Sequence, residues 1–295
     1  MNGYTHIRNE LSVLSLDRPN VLPPVSQPVA GRAELTIVRG DDGRSVVSRA
    51  YATSPLRLLL PKNHGRAAWA YTSSFGGGLV DGDRLVLDID VGPGAAGFVS
   101  SQASTKVYRS WRGTSAEVHA RIGHDGLLVV APDPVVCFAA ARYEQVQRFD
   151  LAAGAGLVLV DWLSSGRHAA GERWAFDEYR SRVLACQDGK LVVHDSIALR
   201  AEDGDLGDRL GRFNVLAMAL VLGAQLHDGS LEIVARAAQV PVTRRAGALL
   251  AATEVGDGCL LRIAGMSVEH VGAMLREYLG FVPQLLGDDP WARKW

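Results

Sequence analysis

The chain has 295 residues, of which 47% are hydrophobic, with 31 basic side chains against 32 acidic ones. This length suffices for one large or two small domains with a sizeable core. The balanced charge argues against a basic nucleic-acid-binding face and against a polybasic membrane anchor. No stretch approaches the roughly 18 uncharged apolar residues of a membrane-spanning helix.

The cysteines and the N-terminal sequence indicate a compartment. Cys137, Cys186 and Cys259 are odd in number, lie far apart and form no C-x-x-C pair. They do not make a disulfide framework, which favours a reducing environment. Residues 1–10 lack a basic segment followed by an apolar one, the pattern of a secretory leader. We therefore expect a cytoplasmic protein.

The first two thirds of the chain predict a β-rich core. Residues 1–29 contain four prolines and little periodicity, so we expect a loosely ordered N-terminal arm with one short strand near 11–16. From residue 30 to 200, short apolar runs alternate with turn signals every 8–14 residues. The sequence Gly-Asp-Asp-Gly at 40–43 predicts a hairpin between 33–38 and 45–51. About a dozen strands without intervening helices indicate stacked sheets or a barrel-like coil.

Individual strands differ in their hydrophobic pattern. Arg84–Val91 alternates apolar and polar residues, which predicts a half-buried antiparallel strand. The segments 127–130, 157–160 and 191–193 are unbroken apolar runs, which predict strands covered on both faces.

Residues 201–295 predict a C-terminal α+β portion that packs on the core within one continuous domain. The apolar segment 211–222 has helical propensity and predicts a buried helix, and 230–239 predicts a second one. Residues 247–263 predict a hairpin turning at 256–258. Ser267 is the expected N-cap of a helix over 268–279, whose apolar residues recur at 3/4 spacing.

The common catalytic and metal-binding motifs are absent or misplaced. Residues 92–97 read G-x-G-x-x-G, but no helical pattern follows, so a tight turn between strands is the preferred interpretation. The sequence has no P-loop, no H-E-x-x-H and no G-x-S-x-G. We therefore predict neither an NTPase nor a tight metal site.

Three aspartates interrupt apolar strands and are the most informative residues. Asp83 precedes Arg84–Val91, Asp161 follows 157–160, and Asp195 follows 191–194. An unpaired buried carboxylate costs several kcal/mol, on the order of 3–5, so such positions need an arginine, hydrogen bonds or internal water. The residues alone leave two interpretations open: structural Asp–Arg pairs or turn caps, or a functional polar interior.

A series of ordered motifs resembles the urease accessory protein UreD family, called UreH in some organisms. The motifs are G-G-L-V-D-G-D-R-L at 77–85, Q-A-S-T-K-V-Y-R-S at 102–110, P-D-P at 132–134, F-A-A-A-R-Y at 138–143, and G-R…G-E-R-W within 166–174. The closing Arg293-Lys294-Trp295 is similar to the R-x-W end of that family. The glycine and side-chain positions that carry the resemblance are Gly77, Gly78, Gly82, Lys106, Tyr108, Arg109, Gly166, Arg167 and Gly171.

The resemblance implies a mainly β fold with stacked antiparallel or mixed sheets in a β-helix-like arrangement and a smaller helical part at the C-terminus. It also implies a non-enzymatic urease maturation factor without a tightly bound cofactor. Such a factor would bind UreF directly and the GTPase UreG through it, dock on the urease apoprotein, and conduct transient nickel(II) through an internal passage. The positions that match the lining of that passage are Asp83, Thr105, Asp161 and Asp195, with Glu172 as a weaker addition. Their oxygen atoms can steer a hydrated divalent cation without trapping it.

Two other functions stay open at this point. The first is a docking scaffold without a passage, in which the strand aspartates are arginine-paired struts. The second is a β-rich hydrolase that uses Asp161 and Glu172 as an acid/base pair about 5–10 Å apart. No nucleophile motif or aromatic substrate platform accompanies that pair.

Overall fold

A computed structural model describes residues 30–62 and 64–292. The expected arm at 1–29, with its strand near 11–16, and the closing Arg293-Lys294-Trp295 lie outside the described residues. No helix of the described ranges is both long and apolar enough to cross a membrane.

Within these ranges, the chain forms seventeen strands and four α-helices. The strands are β1 (Ala30–Arg39), β2 (Ser45–Ala52), β3 (Leu56–Leu59), β4 (Ala68–Ser74), β5 (Arg84–Val91), β6 (Ala96–Ser101), β7 (Thr105–Val107), β8 (Thr114–Ile122), β9 (Leu127–Val130), β10 (Val135–Cys137), β11 (Arg142–Leu151), β12 (Gly156–Ser164), β13 (Glu178–Gln187), β14 (Lys190–Arg200), β15 (Val215–Leu222), β16 (Ala248–Val255) and β17 (Gly258–Gly265). The helices are α1 (Leu206–Leu210), α2 (His227–Ala238), α3 (Val268–Tyr278) and α4 (Val282–Leu286).

The strands form two sheets, between which the chain alternates. Sheet A has seven strands in the order β14-β13-β11-β8-β5-β1-β2. Sheet B has ten, in the order β16-β17-β15-β12-β9-β6-β4-β3, with β7 and β10 attached beside β12. From β4 to β13 successive coils add a parallel strand to each sheet in turn, and antiparallel strands follow at β14 and β15. The predicted mainly β, β-helix-like architecture with C-terminal helices is confirmed.

Three hydrophobic clusters hold the layers together. The main cluster lies between the two sheets and includes Ile37, Phe149 and Leu157. A second cluster joins the opposite face of sheet B to α2, α3 and α4. A third, around Trp174 and Phe176, closes one end of the inter-sheet space. The fold is thus sheet A on sheet B, with the helices as a third layer.

Several local predictions are confirmed. The hairpin at 40–43 joins β1 to β2, and the hairpin at 256–258 joins β16 to β17. Residues 92–97 form a turn between β5 and β6 rather than a phosphate-binding loop. The helix predicted at 230–239 is α2, and the Ser267 Oγ accepts a hydrogen bond from the His270 N–H at the start of α3.

Three predictions about elements are wrong. The segment 211–222 contains strand β15 of sheet B instead of a helix. One face of this strand packs against sheet A and the other face packs against the helices, so its apolar residues are buried on both sides. A short apolar run has no periodicity that separates a helix from a doubly covered strand. Strand β5 alternates as predicted but pairs in parallel with β1 and β8. Residues 191–193 lie on the edge strand β14, where Leu191 is 49% exposed.

A polar belt in the inter-sheet space

One level of the inter-sheet space is polar instead of apolar. Along β12, the residues Leu157, Leu159 and Asp161 point to the same side, toward sheet A, because side chains alternate along a strand. Sheet A presents Gln145 and Ser181 directly opposite this aspartate. We call the inward-facing set at this level the polar belt: its members are Gln145, Asp161, Ser181, Asp195 and Arg262.

Sheet register builds the belt. Gln145 on β11 pairs with Ser181 on β13, and Asp161 on β12 lies in one row with Met218 on β15 and Arg262 on β17. Apolar residues continue on both sides of this level, the main cluster on one side and the Trp174 cluster on the other. The belt is therefore a polar level between two hydrophobic clusters, and on β11 the buried Gln147 extends it by one inward position toward the main cluster.

Hydrogen bonds fix the Asp161 carboxylate. Gln145 Nε2 donates to Asp161 Oδ1 at 2.7 Å, and Ser181 Oγ donates to Asp161 Oδ2 at 2.8 Å. Gln145 Nε2 also approaches Ser181 Oγ at 2.9 Å and the Tyr179 hydroxyl at 3.2 Å. The Tyr143 hydroxyl donates to Gln145 Oε1 at 3.3 Å. Both carboxylate oxygens are thus oriented by sheet A.

The surroundings of Asp161 shift its ionisation. Burial raises the pKa of its carboxyl group above the usual value, the hydrogen bonds from Ser181 and Gln145 oppose that rise, and the negative charge of Asp195 adds to it. Burial likewise raises the pKa of Tyr179 well above its ordinary range. Asp161 is consequently a carboxyl group for which the negative charge is costly unless a cation or water approaches it.

Three cavities follow one another along this level. The edge cavity, about 330 Å³, is lined by Asp161, Asp195 and Arg262 between the β14 edge of sheet A and β15–β17 of sheet B. The inter-sheet cavity, about 130 Å³, is lined by Asp161, Gln145 and Thr105. The loop cavity, about 290 Å³, is lined by Thr105 and the neighbouring segment 101–104. Asp161 borders the first two cavities, and Thr105 borders the second and third.

Asp195 and Arg262 form an ion pair in the edge cavity. The guanidinium of Arg262 donates to Asp195 Oδ1. The Asp195 side chain is only 11% exposed, whereas that of Arg262 is 51% exposed. The arginine therefore lies on the solvent side of the carboxylate.

Asp83 and Glu172, the other two predicted passage residues, do not line these three cavities. Asp83 Oδ2 accepts a hydrogen bond from the Val80 N–H at 2.8 Å, which closes the turn before β5. Glu172 forms an ion pair with Arg167 and accepts a hydrogen bond from the Ala139 N–H at 3.2 Å. The hydrogen bond from Arg167 lowers the pKa of Glu172 below its usual range. Each carboxylate thus makes a local structural contact: Asp83 closes a turn, and Glu172 forms an ion pair with a nearby arginine.

The motif residues assemble at one end of the two sheets. The Tyr108 and Phe138 rings meet edge to face at a centroid distance of 5.1 Å, and the Arg167 guanidinium lies 4.5 Å from the centroid of Phe138. Gly78 needs to lack a side chain, because a Cβ there would lie 2.7 Å from the Lys106 carbonyl oxygen. Arg109 stacks on Trp111, which is 75% exposed. The remaining motif glycines, Gly77, Gly82, Gly166 and Gly171, occupy turns with positive φ in the same group of loops.

Sequence reasoning missed Gln145, Gln147, Ser181 and Arg262. A signal for the glutamines exists in β11, where Tyr143, Gln145, Gln147, Phe149 and Leu151 are all buried and alternate with exposed or half-buried residues. Two glutamines on an otherwise apolar face mark a polar interior. Ser181 and Arg262 carry no such signal, because one serine or arginine in a strand is common on either face.

No cluster of three or more His, Cys, Asp or Glu side chains is placed to hold a metal ion in the part of the chain described here. The belt and Thr105 instead offer separate oxygen atoms along the three cavities. Such an arrangement can orient water and attract a cation at successive points, without the convergent ligand set of a tight site.

Comparison with known proteins identifies the family. The family model described as UreD urease accessory protein matches residues 29–295. The chain is 50% identical over 267 residues to "Urease accessory protein UreD" of Sorangium cellulosum, covering 90% of this chain and 85% of the relative. It is 46% identical to the protein of the same name from an Anaeromyxobacter species, covering 90% and 89%, and 34% identical to "Urease accessory protein D" of Oryza sativa subsp. indica, covering 84% and 92%. The chain belongs to the UreD urease accessory protein family.

Proposed function

We propose that this urease accessory protein docks on the urease apoprotein together with UreF and UreG and conducts nickel(II) to it through the polar belt. The accessory role rests on family membership. The conduction step is supported by one observation above all: the inter-sheet cavity shares Asp161 with the edge cavity and Thr105 with the loop cavity.

The chemistry of the lining supports transit. Hydroxyl and carboxylate oxygens can exchange hydrogen bonds with the water shell of a divalent cation, and rows of acidic groups attract cations in pores. Nickel held tightly prefers nitrogen and sulfur ligands, which the belt does not provide within the described residues. The cation would therefore interact with each group briefly.

An unpartnered amide in the inter-sheet cavity supports hydration. Gln147 is 6% exposed and lines that cavity, and within the described chain its side chain makes no hydrogen bond. A buried amide without a protein partner costs about 1–3 kcal/mol, which an internal water offsets. We infer that water fills this cavity and would accompany the cation.

The protein acts in this proposal as a scaffold and conduit without its own catalytic step. Asp161 and Glu172, the acid/base pair of a hydrolase, do not border a common cavity among the three, and each is held by other partners. We place the process in the cytoplasm, supported by three buried cysteines that are all free thiols.

A scaffold without a passage is the second candidate function. The ion pairs Asp195–Arg262 and Glu172–Arg167 favour it, since both have the form of arginine-paired struts. The two functions differ in one respect: only the conduit requires the cavities to stay open.

Obstructing the edge cavity tests the conduit. Ala251 lies on the edge strand β16, is exposed, and lines the edge cavity. Ala251→Trp should fill this opening without disturbing the core. In cells that express the urease operon, we expect the variant to co-purify with urease in the same amount as the wild type. The nickel content of urease should nevertheless fall several-fold.

Thr253→Trp is the matched control, because Thr253 is exposed on the same strand and does not line the edge cavity. It should leave urease nickel unchanged. Full nickel loading with Ala251→Trp, at equal recovery of the complex, would favour the scaffold without a passage.

A further inference from the structure

Opposite charges meet in the edge cavity. Its lining contains two carboxylates, Asp161 and Asp195, and one guanidinium, Arg262, together with the Tyr179 hydroxyl. Arg262 neutralises one of the two acids by direct contact. The positive charge of Arg262 therefore weakens the attraction of the two carboxylates for a cation, and its place in the cavity needs an explanation.

The register determines which acid the arginine contacts. Asp161, Met218 and Arg262 lie in one row across β12, β15 and β17, so Asp161 and Arg262 are two strand spacings apart, about 10 Å at the backbone. The apolar Met218 lies between them. Arg262 instead extends to Asp195 on the edge strand of sheet A, across the inter-sheet space. The pair therefore bridges the two sheets at the outer side of the cavity.

Among the described residues, the second acid has no cationic partner. The Asp161 carboxylate is bound by the neutral donors Gln145 and Ser181. Asp195 is near enough that its charge acts on Asp161. Without the arginine, two carboxylates would share one cavity, an arrangement that binds divalent cations more tightly.

We propose that Arg262 is a positioning residue that keeps the edge cavity a weak cation site, by occupying Asp195 until an arriving divalent cation displaces the guanidinium. This inference rests on the proposed passage and assigns Arg262 a role in it. Displacement requires no movement of a strand, because Arg262 is half exposed and its side chain can turn outward into solvent. The freed guanidinium can return to Asp195 once the cation leaves, which opposes retention.

The test is nickel binding to the purified full-length chain, with Ni²⁺ alone as the probe, measured by equilibrium dialysis. In the wild type the guanidinium competes with the cation for Asp195 and also repels it, and together these effects should lower the affinity on the order of tenfold. Arg262→Gln should therefore bind Ni²⁺ about tenfold more tightly than the wild type. Arg262→Lys keeps the charge and should restore weak binding.

Two further variants separate local from general charge effects. Arg182→Gln removes a similarly exposed arginine that pairs with Glu144 at 2.9 Å on the outer face of sheet A, and it should leave the affinity unchanged. Asp195→Asn combined with Arg262→Gln should abolish the gain. Equal affinity of Arg262→Gln and the wild type, or an equal gain in Arg182→Gln, would overturn the proposal. Thermal unfolding of each variant identifies any that fails to fold. If Arg262→Gln does not fold, the Ni²⁺ affinities of Arg262→Lys and Asp195→Asn are compared instead. Asp195→Asn should then bind Ni²⁺ more weakly than Arg262→Lys.

The result is distinguishable from failure of the passage itself. In cells, Arg262→Gln should lower urease nickel and leave more nickel on the accessory protein. If Ala251→Trp leaves the nickel content of urease unchanged, the passage is absent, whatever the Ni²⁺ affinities of the Arg262 variants are. If Ala251→Trp lowers it and Arg262→Gln binds Ni²⁺ as the wild type does, the passage stands and the role of Arg262 is wrong.

Discussion

Two levels of the same inter-sheet space are filled in different ways. At the level of Phe149, Leu157 and Ile37, side chains from both sheets form a continuous hydrophobic cluster. Two inward positions further along the same strands, from Phe149 to Gln145 on β11 and from Leu157 to Asp161 on β12, the side chains form the polar belt, and cavities open beside it. Strands β11 and β12 run through both levels without a shift in register. The identity of the inward residues therefore decides where the two sheets are sealed and where they leave room for water.

The largest expected effect is in the hydrophobic level. Phe149→Ala removes a fully buried ring from the main cluster and should lower the free energy of unfolding by about 3–5 kcal/mol. Gln147→Ala, two residues away on the same face of β11, removes a side chain that already borders a cavity, so its cost should be at most about 1 kcal/mol. Urea denaturation measures both. Equal losses would show that the two levels are packed alike.

A smaller effect is expected in the belt. Asp161→Ala leaves the donors of Gln145 and Ser181 without their acceptor, whereas Asp161→Asn keeps one acceptor oxygen. The alanine variant should therefore be less stable than the asparagine variant by about 1 kcal/mol or more. Denaturation at neutral pH compares them. Indistinguishable stabilities would mean that water replaces the carboxylate without cost.

The pH dependence of Asp161→Asn tests how buried this carboxylate is. Burial raises the pKa of Asp161 in the folded chain above its usual value of 3.8, so the folded state binds the proton more tightly than the unfolded state. The burial penalty is absent below pH 3.8 and grows as pH rises toward the folded pKa. The stability of Asp161→Asn relative to the wild type should thus increase from acid to neutral pH. A difference independent of pH would indicate an ordinary solvated carboxylate.

The smallest effect is expected outside the belt. Arg167 lowers the pKa of Glu172, so the carboxylate contributes stability above its usual value of 4.5, which is lost as pH falls through the folded pKa. Because the pair is partly exposed, Glu172→Gln should cost less than about 1 kcal/mol at pH 7. It should also leave urease nickel unchanged. A large fall in nickel would bring Glu172 back into the passage.

The sequence predicted the fold class but not the direction of its strands. Turn signals and alternation identified the hairpins and strand β5, since these depend on neighbouring residues. The parallel pairing of β5 with β1 and β8 depends on crossovers through the other sheet, which local periodicity does not encode. Strand β15 was predicted as a helix because burial on both faces removes the period that would distinguish the two.

The candidate site was predictable where a charged residue interrupts an apolar strand. Asp161 and Asp195 were identified in this way and border the edge cavity. Thr105 came from the motif resemblance and borders two cavities. The residues that contact the acids were not predictable. Gln145, Ser181 and Arg262 reach them only because of the strand register and the packing of sheet A on sheet B, which local sequence does not encode. Asp83 shows the limit of the pattern, since an aspartate before a strand also suits a turn closure.

Neutralising the belt tests the central claim most directly. The double variant Asp161→Asn/Asp195→Asn removes both carboxylates of the edge cavity while preserving their shape. Glu144→Gln/Glu178→Gln, on the outer face of sheet A, removes the same charge elsewhere as a control. The measurement is nickel per urease after co-expression, at equal amounts of assembled complex. We predict a several-fold loss for the belt variant and none for the control; full nickel loading of urease by the belt variant would contradict conduction through the belt.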